Sequence, residues 1–155
     1  AVDAAVAVAD ELGAVASQVH SSLRRLAIAG LVLPGTRKTN RHALREFIEH
    51  GVRYAFPAQV GKQAHGIPTA HSAPPLASQI DAIDAFVWPA SAGEGRVNGL
   101  TVTPLYPNAP RLAYASPATY RGVALVDVFR VGRARERAIA TRELDGVLYG
   151  GAAVA

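Results

Sequence analysis

The segment VAVADELGAVASQVHSSLRRLAIAGLVL, residues 6–33, carries the strongest local pattern of the 155-residue chain. Strong helix formers fill residues 2–12, and Gly13 follows at a position where a helix is expected to break. A second helix is predicted to begin at Ala16, with Ser17 as its cap, and to close near Gly30, because apolar residues recur there at the spacing of one helical face. The apolar residues of that face are Val19, Leu23 and Leu26.

The arrangement of small and apolar residues in this segment fits a helix-turn-helix. Such a motif needs a small residue where its helices cross, a glycine at its turn and apolar residues that hold the second helix. Ala9, Gly13 and the three apolar residues of the second helix occupy these roles. The segment resembles the helix-turn-helix of winged-helix transcription regulators of the MarR and ArsR groups, whose "AGLV"-like exit leads to a wing. Residues 29–32 have that sequence, and the resemblance loosens after about residue 35.

Polar and basic side chains occupy the second helix away from its apolar face. The resemblance implies that the first half of this helix reads bases in the major groove while nearby arginines hold phosphates. Gln18 and His20 are then base-contact candidates, and Arg24 is a better placed phosphate candidate than Arg25. A generic helical hairpin with a solvated polar face is the alternative. The full set of candidates on this helix is Ser17, Gln18, His20, Ser21, Arg24 and Arg25.

The chain departs from the family after Leu33. A basic stretch runs directly into a third predicted helix at residues 42–56, so the wing is expected to be abbreviated or absent. Arg37, Lys38 and Arg41 would then supply phosphate contacts from the loop or the helix start, whose positive dipole end favours phosphate. A solvated basic loop is an equal alternative. The residues predicted to point inward from the third helix are Leu44, Phe47, Ile48 and Val52.

The composition narrows the possible functions. The chain has 16 Lys and Arg against 12 Asp and Glu, for a net charge of +4, and 14 of the cations are Arg, which suits phosphate and guanine. The absence of Cys excludes disulfides, thiolate metal sites and Cys nucleophiles. Neither His42 with His50 nor His65 with His71 has the spacing of a metal-ligand pair. With no hydrolase or nucleotide-binding motif either, we expect no enzyme activity, cofactor or metal.

The rest of the chain is predicted as a mixture of short strands and helices. Residues 59–75 lack a clear period and are assigned to an ordered loop or short strands. A β-hairpin is predicted from residues 86–88 and 97–105 around a glycine-containing turn at 91–95. Residues 118–131 form a strongly apolar helix, which Gly132 separates from an arginine-rich helix at 133–148.

These elements predict an α+β protein in three parts: a DNA-binding domain at residues 1–56, a dimerisation or partner-binding region at 57–148 and a tail at 149–155. The expected function is sequence-specific binding of double-stranded DNA as a transcriptional repressor. A homodimer is expected because paired copies read paired half-sites, and the helix at 118–131, apolar nearly all round, is the expected dimer element. No apolar run is long enough for a membrane span, so a cytoplasmic protein is expected. Without any Met, the numbering is expected to begin inside a longer chain.

Two other functions stay open at this point. The first is an antitoxin-like or accessory subunit, in which residues 57–148 bind a partner protein. The second is a ligand-gated regulator whose pocket is lined by Trp88 and Tyr106.

Overall fold

A computed structural model describes residue 10, residues 13–91, residue 93 and residues 97–150. Within these residues the chain has the predicted α+β layout, with helices before and after a small three-stranded sheet in chain order. The first predicted helix, residues 2–12, lies outside the described residues apart from Asp10, and its Ala9 is therefore not described. Residues 151–155 of the tail also lie outside them.

The second predicted helix is present as α1, Ala16–Ile28. Its cap is Val15 and not Ser17 as predicted, because the Gln18 side-chain oxygen accepts a hydrogen bond from the Val15 backbone N–H at 3.3 Å. Ser17 therefore lies in the first helical turn. Of the predicted apolar face, Val19 is buried, Leu23 is half-buried and Leu26 remains 38% exposed.

A short antiparallel hairpin, residues 31–40, connects α1 to the next helix. Its only β-bridge joins Val32 and Thr39, and the Leu33 N–H donates to the Lys38 carbonyl at 2.9 Å. Gly30, at the start of this connection, has a φ of +76°, a conformation that favours glycine. The hairpin is short because few residues lie between the end of α1 and the beginning of α2.

The third predicted helix is present as α2, which comprises Arg41–Glu46, a π-helical turn at Phe47–Gly51 and a last turn at Val52–Ala55. Asn40 caps it by accepting a hydrogen bond from the Ala43 N–H at 3.3 Å. The four residues predicted to point inward do so: two are buried and two are partly buried against the same core. They are Ile48 and Val52, then Leu44 and Phe47.

The sheet contains β1 (Val60–Pro68), β2 (Phe86–Pro89) and β3 (Val97–Val102). The two predicted strands exist, but the predicted hairpin is wrong, because β2 and β3 pair in parallel. Each pairs antiparallel with β1, which lies in the segment assigned to a loop or short strands. Gly66 of β1 permits this arrangement, since a Cβ there would lie 2.1 Å from the Trp88 carbonyl oxygen.

Three helices complete the fold: α3 (Leu112–Ala115), α4 (Pro117–Val131) and α5 (Ala134–Tyr149). Helix α4 contributes to two hydrophobic clusters. Its Leu125, Val128 and Phe129 pack with α2 and α5, while Tyr120 and Ala124 pack with the sheet and α3. The predicted boundary at residue 56 therefore falls between segments that share one core.

Burial of α4 removes the reason for expecting it to form a dimer. The prediction rested on the apolar residues that surround this helix, which must be covered on several sides. The structure shows that the chain covers nearly all of it: Leu125 is 2% exposed and Phe129 is 1% exposed, while Val123 and Val126 are half-buried. Helix α4 is the centre of the core and is not available as a dimer element.

Candidate nucleic-acid interface

Exposed basic side chains lie on helix α1, on the hairpin and at the start of α2. Residues 13–41 contain five Lys and Arg residues and no Asp or Glu. All five cations are exposed, and within the described part of the chain no carboxylate lies at ion-pair distance from any of them. They are Arg24, Arg25, Arg37, Lys38 and Arg41. The surface therefore has positive charge that the described residues do not neutralise.

The exposed face of α1 brings four of the six predicted residues together. At about 100° per residue, Ser17, Ser21 and Arg24 lie opposite the buried Val19, and His20 borders them. All four side chains are exposed. Hydroxyl and imidazole groups near a guanidinium form a surface suited to base edges and a phosphate.

The other two predicted residues of α1 lie on its flank towards α2. Gln18 is exposed, but its side-chain oxygen already accepts the Val15 N–H. Arg25 donates to the Ser22 hydroxyl at 3.2 Å and lines a groove of about 1050 Å³ between α1 and α2. The groove and the bond to Ser22 distinguish Arg25 from Arg24, and the bond to Val15 distinguishes Gln18 from His20.

Asn40 fixes the hairpin to both helices, and the sequence pattern did not identify it. Its amide nitrogen donates to the Gly30 carbonyl at 3.0 Å, its backbone N–H donates to the Leu31 carbonyl at 2.9 Å, and its side-chain oxygen caps α2. One side chain therefore connects the end of α1 to the beginning of α2. An Asn directly before a helix is a recognisable capping signal, but its second bond depends on tertiary geometry.

The cations beyond α1 lie on the hairpin and at the start of α2. Arg37 and Lys38 follow the tip of the hairpin, and Arg41 is the first residue of α2. A cation at a helix N-terminus interacts unfavourably with the helix dipole, so the charge of Arg41 does not stabilise α2. Together with the backbone N–H groups of the first turn, it is suited to an anion.

The arginines of the core differ from those of this surface. Arg130 is buried and donates to Asp127 at 2.6 Å and to the Phe56 carbonyl at 2.8 Å. Asp127 also accepts hydrogen bonds from the Thr69 hydroxyl and the Trp88 indole, both at 2.7 Å. Burial raises the pKa of the Asp127 carboxyl, and these three bonds oppose the rise.

This network also bears on the predicted ligand pocket at Trp88. The Trp88 side chain is fully buried and bonded to Asp127, so it does not line a cavity open to solvent. The network itself was not found from the sequence, because Asp127 and Arg130 lie in a run that reads as apolar and then basic.

Neither a metal centre nor a membrane span is found in the part of the chain that the structure describes. No three His, Asp or Glu side chains among these residues converge as metal ligands. None of the helices between residues 13 and 150 is long and apolar enough to cross a bilayer.

Comparison with known proteins found no matching family, no similar curated protein and no similar solved structure.

Proposed function

We propose that this chain is a sequence-specific DNA-binding protein that represses transcription. The observation that carries the proposal is the acid-free basic surface of residues 13–41, with its five exposed cations on α1, the hairpin and the start of α2. A helix that presents short polar groups and an arginine on its exposed face has the size and chemistry to enter a major groove. The hairpin cations would contact the adjoining phosphates.

The charge of this surface gives the proposal a quantitative form. If all five cations contact phosphates, log K should fall with log salt concentration by up to about 4.5 per bound copy, at 0.9 per contact. A slope near zero would contradict the proposal. So would the absence of binding to any fragment of the source genome at low salt, measured by fluorescence anisotropy after selection of bound fragments.

Two matched double variants distinguish this surface from general positive charge. Arg24→Gln with Arg37→Gln should weaken binding to all sequences and lower the salt slope by about 2, at 1 per lost contact. Arg121→Gln with Arg142→Gln removes the same charge from exposed positions on α4 and α5. This second variant should leave the affinity for DNA and the salt slope unchanged. Equal losses from the two variants would show that binding depends on net charge alone.

We further propose that two copies bind adjacent half-sites about one helical turn apart, because one helix contacts few base pairs. The stoichiometry of the protein–DNA complex, measured by sedimentation, tests this point. Recovery of an unrelated protein instead of DNA when the native protein is purified would favour the accessory-subunit alternative.

A further inference from the structure

A cleft on the side of the molecule formed by α5 and the 69–86 connection contains a buried histidine. His71 lies in a short 3-10 helix, Ala70–Ser72, and is 5% exposed. Its ring packs against Phe86 with centroids 4.6 Å apart. The cleft has a volume of about 470 Å³, and its charged lining consists of Asp81, Asp84, Arg133 and Glu136.

The hydrogen bonds of His71 determine what its ring offers to this cleft. Nε2 lies 2.9 Å from the Asp84 carbonyl oxygen. A carbonyl only accepts, so Nε2 carries the proton in the neutral ring and Nδ1 has a free lone pair. Nδ1 is buried and has no hydrogen-bond partner among the described residues. A buried polar atom without a partner is costly, and a ligand that donates to it removes that cost.

Glu136 supplies a second acceptor beside this nitrogen. Its Oε2 accepts the Arg133 backbone N–H at 2.8 Å, which anchors the carboxylate at the start of α5. Its Oε1 lies 4.0 Å from His71 Nδ1, too far for a hydrogen bond between them. The two atoms are therefore a pair of hydrogen-bond acceptors 4.0 Å apart.

The separation of this pair distinguishes the ligands that could bridge it. A single donor atom about 2.9 Å from each acceptor would have an acceptor–donor–acceptor angle of about 90°, which the N–H bonds of an ammonium group meet with small bends. A metal ion at about 2.1 Å from each would require an angle near 145°, far from tetrahedral. The pair therefore suits a nitrogen cation better than zinc.

The remaining lining of the cleft also favours an organic cation. Three carboxylates against one guanidinium give the lining a net negative charge. Val60, Leu100 and Val131 add an apolar wall. A ligand that combines an ammonium group with a short hydrocarbon chain matches both parts.

We propose that this cleft binds a small primary amine in its ammonium form, whose N–H groups donate to His71 Nδ1 and Glu136 Oε1. The site is independent of the proposed DNA surface, since the two have no residue in common.

The binding test uses the full chain and four probes of similar size. Butylammonium should bind with a dissociation constant on the order of 1 mM, measured by NMR titration. Tetramethylammonium, which has charge but no N–H group, should bind at least about tenfold more weakly, as should 1-butanol and butyrate. Equal binding of tetramethylammonium and butylammonium, or no saturable binding of butylammonium, would overturn the proposal.

Two glutamates of α5 provide a matched pair of variants. Glu136→Gln keeps an oxygen for the Arg133 N–H but loses the charge, and should weaken butylammonium binding about tenfold or more. Glu143→Gln removes a charge from the same helix, where the carboxylate accepts from Gln79 at 2.7 Å outside the cleft, and should leave binding unchanged. Equal effects of the two variants would contradict the site.

A spectroscopic measurement tests His71 without substituting it. Long-range ¹⁵N–¹H correlation spectra should show His71 protonated at Nε2, and its Nδ1 resonance should shift on addition of butylammonium and stay unchanged with 1-butanol. A ring protonated at Nδ1, or an Nδ1 signal that butylammonium does not move, would overturn the assignment.

Discussion

Arg24 and Arg130 are the same residue type in regions that use it in opposite ways. Arg130 is buried, and its N–H groups donate hydrogen bonds to a carboxylate and to backbone carbonyls. Arg24 lies on the exposed face of α1, in a segment without a single acidic residue. The hydrogen bonds of Arg130 hold α4 against the connections around the sheet, whereas no carboxylate of the described residues lies at ion-pair distance from Arg24.

The comparison extends to the packing of the two regions. Helix α1 has one buried residue, Val19, while α4 has seven. Helix α4 is fixed by its neighbours on several sides, whereas α1 is connected to α2 by the hairpin and the hydrogen bonds of Asn40. Substitutions in the core should therefore change the stability of the fold, and substitutions on the basic surface should change the proposed binding of DNA.

The largest effect is expected from Asp127→Asn. The amide can accept from Thr69 and Trp88 but cannot neutralise Arg130, and an uncompensated buried charge costs about 3–5 kcal/mol. Urea denaturation of the variant measures the loss. Asp81→Asn, at an exposed position, should stay within about 0.5 kcal/mol of the parent. A loss below about 1 kcal/mol for Asp127→Asn would mean that the core network is not what holds α4.

The next effect concerns the base recognition that we propose for the exposed face of α1. His20→Ala should lower the discrimination at one base pair by about 1–3 kcal/mol, while the stability of the fold changes little because the side chain is exposed. Competition binding with single-base variants of the selected site measures it. Gln18→Ala should have a smaller effect on discrimination, because Gln18 is engaged in the helix cap. The reverse order would show that the flank towards α2 is what reads the bases.

Much of the fold follows from local patterns in the sequence. The inward positions of α2 and the extent of α4 are set by helical periodicity, Gly132 and a Ser-Pro start, all of which act over a few residues. The pairing of the strands is not local. The Val97–Val102 strand follows Phe86–Pro89 closely and reads as its hairpin partner, yet β1 pairs with both and places them in parallel.

The functional residues show the same difference between what local sequence predicts and what depends on the tertiary fold. All nine predicted DNA contacts are exposed, because polar residues opposite an apolar stripe or in a short basic loop have no core to enter. The residues that lie next to the polar groups of Asp127 and His71 come from segments up to 65 residues away. Asp127 and Arg130 are three residues apart, and the sequence alone does not show that the fold encloses them.

A smaller effect is expected at the junction between the two regions. Asn40→Ala loses the cap of α2 and the bond to the Gly30 carbonyl, and should cost about 1 kcal/mol of stability. It should also weaken DNA binding, since the hairpin cations lose their fixed position relative to α1. Asn40→Ser keeps a capping oxygen but not the bond to Gly30, so it should recover stability more than binding. Equal recovery of both would show that the cap alone positions the hairpin.

The smallest effect concerns the ion pair of Arg45 and Asp145, which connects α2 to α5 near the surface. The hydrogen bond from Arg45 holds the pKa of the Asp145 carboxyl below its ordinary value of 3.8. A carboxyl with a lowered pKa in the folded state contributes stability above its unfolded pKa and loses that contribution as pH falls through the folded pKa. The Asp145 side chain is 42% exposed, so solvent reduces the contribution. Asp145→Asn should therefore be slightly less stable than the parent at pH 7, and the difference should shrink as denaturation is repeated at pH values that fall further below 3.8.

Arg45 also pairs with Glu49 at 2.7 Å, so a double-mutant cycle with Arg45→Gln is needed to isolate its coupling to Asp145. The coupling measured at pH 7 should vanish at the acid end of the series. A difference between Asp145→Asn and the parent that persists unchanged into acid would mean that Asp145 contributes through its shape and packing. In that case the contact between Arg45 and Asp145 would stabilise the fold through packing and not through its two opposite charges.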